Sequence, residues 1–159
     1  MIDWQAARRL VADWQAAGGK VVFTNGCFDL IHAGHIEILS QARALGDRLI
    51  VGLNSDHSVN ELKGAGRPVI TQDDRVKILS ALRPVDLVVI FTEPTPAELI
   101  AVLRPDILVK GREYRLEDIA GADTVLASGG EVRRLELVTG RSTSAIIRKI
   151  RGQERDEIA

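Results

Sequence analysis

The stretch Lys20-Val21-Val22-Phe23-Thr24-Asn25-Gly26-Cys27-Phe28-Asp29-Leu30-Ile31-His32-Ala33-Gly34-His35 decides how this chain folds. Its first four residues form a short, apolar, β-rich run, the pattern of a buried strand. Beyond it Ile36, Leu39, Ala42, Ala44 and Leu45 supply a helical apolar stripe, so a strand turns into a helix with both histidines at or near the first turn. The first N–H groups of a helix have no partner within it and favour an anion. His32 and His35, three apart, share a side of that turn, and Gly34 lacks the Cβ that would keep a ligand off the backbone. A turn of this kind holds phosphates, and the chemistry it suggests is on phosphorus, not on a carbonyl.

Upstream, residues 3 to 17 read as an amphipathic helix packed on the outside of the domain. Asp3 is its cap, Trp4, Ala7, Val11 and Trp14 form its apolar stripe, and Gly18-Gly19 stops it. Downstream, strand and helix signals alternate. Strands are expected at Val21 to Asn25, Arg48 to Leu53, Leu87 to Phe91, Ile107 to Lys110 and Glu131 to Val138. Helices are expected near His35 to Leu45, from Asp73 to Leu82, up to Leu103, from Leu116 to Ala127 and from Ser142 to Ile150. Thr95-Pro96-Ala97-Glu98 reads as a capping box with proline at the first helical position. Alternation of this kind implies an α/β protein: one Rossmann-like domain with a doubly wound parallel five-stranded sheet in the order 3-2-1-4-5. Residues 1–19 are the added helix, 20–151 the domain and 152–159 a charged tail. In that order the ends of the first and fourth strands flank the crevice where such sheets bind ligands, which brings the histidine turn and Lys110-Gly111 together.

Composition narrows the class of function. The 159 residues are 45% hydrophobic and 4% aromatic, with a formal net charge of −1, and the cations are dispersed and not massed on one face. A nucleic acid partner is not expected, and a small anionic substrate needs only a few local cations. No apolar run approaches the roughly 20 residues that span a bilayer, so no membrane role is expected. Cys27 is the only cysteine, which rules out a disulfide framework, and Met1-Ile2-Asp3-Trp4 does not open a signal peptide; a cytoplasmic location follows as an expectation.

Several groups could do chemistry. The imidazoles of His32 and His35 can donate to an oxygen whose charge grows in a transition state. Zinc ligation by Cys27, His32 and His35 has an uncommon spacing and no clear fourth ligand. Thr139-Gly140-Arg141-Ser142-Thr143-Ser144 precedes the last helix, where hydroxyls cap; with Arg141 it also makes a second anion site. Lys63-Gly64-Ala65-Gly66-Arg67-Pro68 is a flexible basic loop, either solvated or able to close Lys63 or Arg67 over a polyphosphate. Lys110 is a surface lysine or faces the phosphates or the acceptor. Asp29 caps a turn or helps to hold magnesium through water. His57, with Asn54 and Asp56 after the second strand, is a loop residue without a chemical role. The chain lacks a Gly-x4-Gly-Lys-Ser/Thr loop, a Gly-x-Ser-x-Gly elbow and a Gly-x-Gly-x2-Gly fingerprint. P-loop hydrolysis, hydrolase chemistry and dinucleotide redox therefore lose support.

With these motifs assembled, the chain resembles the nucleotidyltransferases that carry a His-x-Gly-His motif and a late Ser-Thr-Ser/Thr motif. Residues 24–35, Gly46-Asp47-Arg48-Leu49-Ile50-Val51, Asn54-Ser55-Asp56, Leu62-Lys63-Gly64 with Arg67-Pro68-Val69, Asp106 to Gly111 and Ser142-Thr143-Ser144 look like the D-glycero-β-D-manno-heptose 1-phosphate adenylyltransferases. These occur as the C-terminal half of a bifunctional kinase/adenylyltransferase and as freestanding proteins. The resemblance implies transfer of AMP from ATP to the sugar 1-phosphate, with release of pyrophosphate and help from Mg²⁺, in a homodimer supplied by a separate sugar kinase. It implies that His32, His35, Lys63 and Lys110 serve the reacting phosphates. Thr24, Asn25, Gly26, Cys27, Phe28, Asp29 and Gly34 would lie at the nucleotide with Arg141, Ser142, Thr143 and Ser144, and Asn54, Arg67, Gly111 and Tyr114 would lie at the acceptor. Where the family often shows Lys-Gly-Gly-Asp-Tyr, this chain has Lys110-Gly111-Arg112-Glu113-Tyr114, a departure that bears on the acceptor. Two other functions compete. One is a cytidylyltransferase using CTP and a small phosphate such as glycerol 3-phosphate, and the other is a non-catalytic nucleotide-binding domain.

Overall fold

The computed structural model describes residues 2–136 and 143–152. The chain begins with helix α1 (Trp4–Ala16), enters the sheet at β1 (Val21–Gly26), crosses through α2 (Ala33–Arg43) and returns at β2 (Arg48–Asn54). Helices α3 (Asp56–Lys63) and α4 (Gln72–Ser80) lead to β3 (Leu87–Phe91), and α5 (Ala97–Leu103) leads to β4 (Ile107–Gly111). A 3-10 turn (Leu116–Asp118) and α6 (Ala122–Ala127) precede β5 (Glu131–Leu135), and α7 (Thr143–Ile150) follows. All strand pairs are parallel, in the order β3-β2-β1-β4-β5. The expected architecture and order are those observed.

Side chains that alternate along each strand feed two cores. On one face Val21 and Phe23 of β1, Ile50 of β2 and Leu108 of β4 pack with Ala7 and Val11 of α1 and with Leu99 and Leu103 of α5. On the other, Val22, Leu49, Val51 and Val109 pack with Leu39 and Ala42 of α2 and Leu79 of α4. Ala7 and Val11 are fully buried, and Trp4 Nε1 donates to the Ile90 carbonyl at 2.8 Å, so α1 contributes to the core of the domain.

Three local expectations are corrected. Residues 56–63 form a helix, not a loop; only Val59 and Leu62 are apolar in it, too thin a stripe to announce a helix, and its start rests on Ser55, whose Oγ accepts from Ser58 N at 3.2 Å. The helix expected over 116–127 is broken at Gly121, whose φ of +83° suits glycine and where a Cβ would meet Ile100 Cδ1 at 2.7 Å. In α5, Pro96 is the N-cap residue and not the first helical one, with Thr95 Oγ1 accepting from Ala97 N at 3.5 Å. Val138, Ser142 and the tail from residue 153 lie outside the described residues.

Candidate active site

At the C-terminal ends of the strands the sheet opens into a cavity of about 570 Å³, a size suited to a small-molecule ligand. Its floor is the turn from β1 into α2. Phe28 takes a left-handed conformation there (φ +46°), and His32 is the N-cap residue of α2. One turn on, His35 Nδ1 accepts from the His32 backbone N–H at 3.4 Å, and the two imidazoles stack with centroids 3.8 Å apart. Burial, with a smaller contribution from His32, lowers His35 to about 4, so the ring is neutral at pH 7. With Nδ1 engaged as an acceptor, its proton sits on Nε2, which makes His35 a neutral donor in the cavity wall.

The cavity's cations come from three elements. Lys63 ends α3, Arg67 follows in the loop, and Lys110 lies at the end of β4. Burial lowers Lys110 to about 8, opposed by the nearby Glu113 carboxylate, and its Nζ lies 5.3 Å from the Tyr114 ring centroid. Asn25 Oδ1 is buried without a hydrogen-bond partner among the described residues, on the same wall as Cys27 and Phe28. From α7, Thr143 and Ser144 reach the cavity, and Thr143 Oγ1 donates to the Leu30 carbonyl at 3.2 Å. Arg141 and Ser142 lie outside the described residues.

The structure also sends some expected residues elsewhere. Thr24 donates to the Val109 carbonyl at 3.1 Å, a bond between β1 and β4, and neither it nor Gly111 lines the cavity. Asn54 lines it, but its amide is engaged internally: Nδ2 donates to Ser58 Oγ at 2.9 Å and Oδ1 faces Cys27 Sγ at 4.0 Å. Asp29 is buried and accepts from Arg67 Nε at 2.7 Å, Val69 N at 2.8 Å and Ile70 N at 2.9 Å. Those donors keep its carboxyl below the usual range despite burial, which pushes the other way. The basic loop is therefore tied to Asp29 at Arg67, Val69 and Ile70, and the Asp29 oxygens, occupied by these donors, do not fit the water-mediated magnesium role. No group of three or more His, Cys, Asp and Glu able to hold a metal occurs among the described residues. Arg112, the bulky departure from the family pattern, pairs with Glu136 at the surface outside the cavity.

Sequence reasoning missed the opposite wall, Phe91 with Pro94, Thr95 and Pro96, although these follow a strand end as ligand loops do in such sheets. It also missed Arg75, a fully buried arginine on the stripe of α4 that carries Leu79. A cation at an inward helical position was the available signal.

Residues 23–149 match the family described as cytidylyltransferase-like. Three relatives share the name bifunctional protein HldE. That of Magnetococcus marinus is 53% identical over 152 residues, 96% of this chain and 31% of its own length. Those of Pseudomonas paraeruginosa (57% over 141 residues, 89% and 30%) and Caulobacter vibrioides (53% over 148 residues, 93% and 31%) are similar. The chain thus spans about a third of the length of these relatives. In fold it is similar to the lipopolysaccharide core biosynthesis protein from Thermoplasma volcanium GSS1, with a TM-score of 0.63 and 24% identity, covering 76% of this chain and 98% of that one. No helix among the described residues is long and apolar enough to cross a membrane.

Proposed function

Because the chain belongs to the cytidylyltransferase-like family, and so is a nucleotidyltransferase, we propose that it transfers AMP from ATP to D-glycero-β-D-manno-heptose 1-phosphate. The observation that carries this reading is the meeting in one cavity of the stacked His32 and His35, Lys63 from α3 and Lys110 from β4. The extensive identity to the bifunctional relatives supports it.

An ionised phosphate oxygen of the sugar attacks the α-phosphorus of ATP as the bond to the β-phosphate oxygen breaks, and pyrophosphate leaves. The nucleophile is already an anion at neutral pH, so the reaction needs alignment and charge stabilisation more than a base. His35 meets the growing negative charge with a neutral Nε2–H, Lys63 and Lys110 bring full charges, and Thr143 and Ser144 offer hydroxyls to the departing pyrophosphate. Mg²⁺ enters on the triphosphate as part of the substrate. The sugar 1-phosphate comes from a sugar kinase, and the working form is a homodimer, which sedimentation of the purified protein checks.

Pyrophosphate release with Mg²⁺ tests the proposal, comparing ATP and CTP across heptose 1-phosphate, other sugar 1-phosphates and glycerol 3-phosphate. Release with ATP that depends on heptose 1-phosphate is the expected result. A preference for CTP with glycerol 3-phosphate moves the chain to the cytidylyltransferases, and silence with every pair despite nucleotide binding makes it a binding domain.

A further inference from the structure

Between β2 and α4 the chain leaves the sheet and comes back, and this excursion carries Lys63 and Arg67 to the cavity. One side chain outside it holds both of its stems. Arg75, in α4 and with no exposed surface, donates from Nη2 to Asp56 Oδ1 at 2.7 Å on the outgoing stem and from Nε to the Ile70 carbonyl at 3.0 Å on the returning one. Its Nη1 donates to the carbonyls of Cys27 at 2.5 Å and Asn54 at 2.9 Å, just past the end of β1 and at the end of β2. Four N–H groups of one rigid plane are thus divided among three stretches of chain: the Cys27 carbonyl, the Asn54 carbonyl with the Asp56 carboxylate, and the Ile70 carbonyl.

The charge by itself does not favour this choice. A buried guanidinium is costly to desolvate, and its one carboxylate partner has a side chain that is 42% exposed. An apolar residue here would extend the buried stripe of α4 but leave the carbonyls of Cys27, Asn54 and Ile70 without this donor. What the guanidinium supplies is geometry. Asp56 is the first residue of α3 and Lys63 the last, seven residues or about 10 Å apart along the axis. A tilt of about 10° at the Asp56 end carries Lys63 roughly 2 Å, and displacements of about 1 Å at reacting groups are enough for about 10²-fold losses. The returning stem has a second anchor in Asp29, which binds Arg67, Val69 and Ile70.

We infer that Arg75 is a positioning residue for the transfer, which sets the place of Lys63 by pinning both stems of the 56–70 excursion to the ends of β1 and β2. The inference rests on the proposed reaction, in which Lys63 meets the phosphates.

Arg75→Lys keeps a cation but gathers its donors on one atom, so it cannot span the four acceptors. Pyrophosphate release is measured for the wild type, Lys63→Ala, Arg75→Lys and the double variant. Arg75→Lys is expected to lower kcat at least about tenfold with a smaller change in the KM for ATP, and the double variant to lie within about twofold of Lys63→Ala alone. If the two losses multiply, Arg75 does not act through Lys63 and the inference is overturned. Should Arg75→Lys fail to fold, Asp56→Ala removes the outgoing contact at a half-exposed carboxylate and enters the same cycle. Amide hydrogen exchange gives a readout without turnover: residues 56–64 exchange at least about tenfold faster in either variant while β1 and β2 keep their protection. Unchanged exchange there overturns the pinning. A wild type that is silent with every nucleotide and acceptor overturns the transfer proposal instead, and the exchange result then decides the pinning by itself.

Discussion

Strands enter this sheet among aspartates and leave it among imidazoles and lysines. At the entry end Asp106 accepts from Val21 N at 2.8 Å, Asp47 from Lys20 N at 2.8 Å and Asp86 from Leu49 N at 2.8 Å. The same Asp86 carboxylate takes Arg43 at 3.0 Å and Arg48 at 2.8 Å, and Arg48 lies over the Trp14 ring. Donors and acceptors there are matched within the protein. At the exit end Asn25 keeps a buried acceptor without a partner among the described residues, His35 is neutralised by burial, and Lys110 is held in surroundings that weaken its charge. The two ends are built from the same parallel strands, so the difference lies in what the loops bring. One end is matched within the protein, and the other sets Asn25, His35 and Lys110 around a cavity beside the fully bonded Asp29 and Arg75.

The two ends of the sheet differ most at His35. On the proposed reaction His35→Ala loses about 10²- to 10³-fold in kcat, the usual cost of a lost transition-state donor, with little change in thermal midpoint. Steady-state pyrophosphate release and a melt on the same sample check both halves, and an equal loss in nucleotide affinity would make His35 a ground-state anchor instead. Asp86→Ala is the mirror experiment. It strands the Leu49 N–H and two arginines, so stability falls by about 1–3 kcal/mol in urea titration while kcat of the folded enzyme is unchanged.

These differences explain what could be read in advance. The strands were legible because Val21 to Phe23, Leu49 to Leu53 and Leu87 to Phe91 are dense apolar runs, and their parallel pairing followed from alternation with helices; their order is fixed by contacts distant in sequence. The histidine turn was legible because two histidines and a glycine at the head of a helix have few other uses. What stayed hidden depends on contacts distant in sequence. Asp29 looks like a ligand carboxylate until Arg67, Val69 and Ile70 occupy it from about forty residues away. Asn54 and Thr24 sit in or beside the right motif, yet their side chains are engaged by Ser58 and by the Val109 carbonyl. Motif membership fixes a residue's neighbourhood, and its remaining hydrogen-bonding capacity decides whether it meets a substrate.

Lys110 sets the two ends of the sheet apart through pH. Its proton leaves the folded protein at about 8 and the unfolded chain near its ordinary 10.5, so between those values the unfolded state binds more protons and stability rises with pH. Lys110→Met removes that rise, and below pH 8 it is more stable than the wild type because no charge is buried. On the proposed reaction activity runs in the opposite direction: the wild type loses the positive charge of Lys110 above pH 8 and slows as it grows more stable. Melts from pH 7 to 10.5 beside rates over the same range check the pair. A wild-type curve that is flat where Lys110→Met is also flat would place the lysine in water.

The smallest effect is expected from the remaining histidine. His57 lies in the first turn of α3 outside the cavity, with a side chain 69% exposed and Nε2 3.3 Å from Glu61 Oε1 one turn on. An exposed pair of this kind contributes at most about 0.5 kcal/mol, and only while the imidazole is protonated. His57→Gln therefore shifts the melting midpoint by no more than about 2 °C and leaves kcat unchanged. It shares a helix with Lys63, so it also tests where the exit end stops. A fall in kcat without a fall in stability would mean that the first turn of α3 belongs to the reacting site, and that the matched and unmatched regions divide inside this helix and not at its C-terminus.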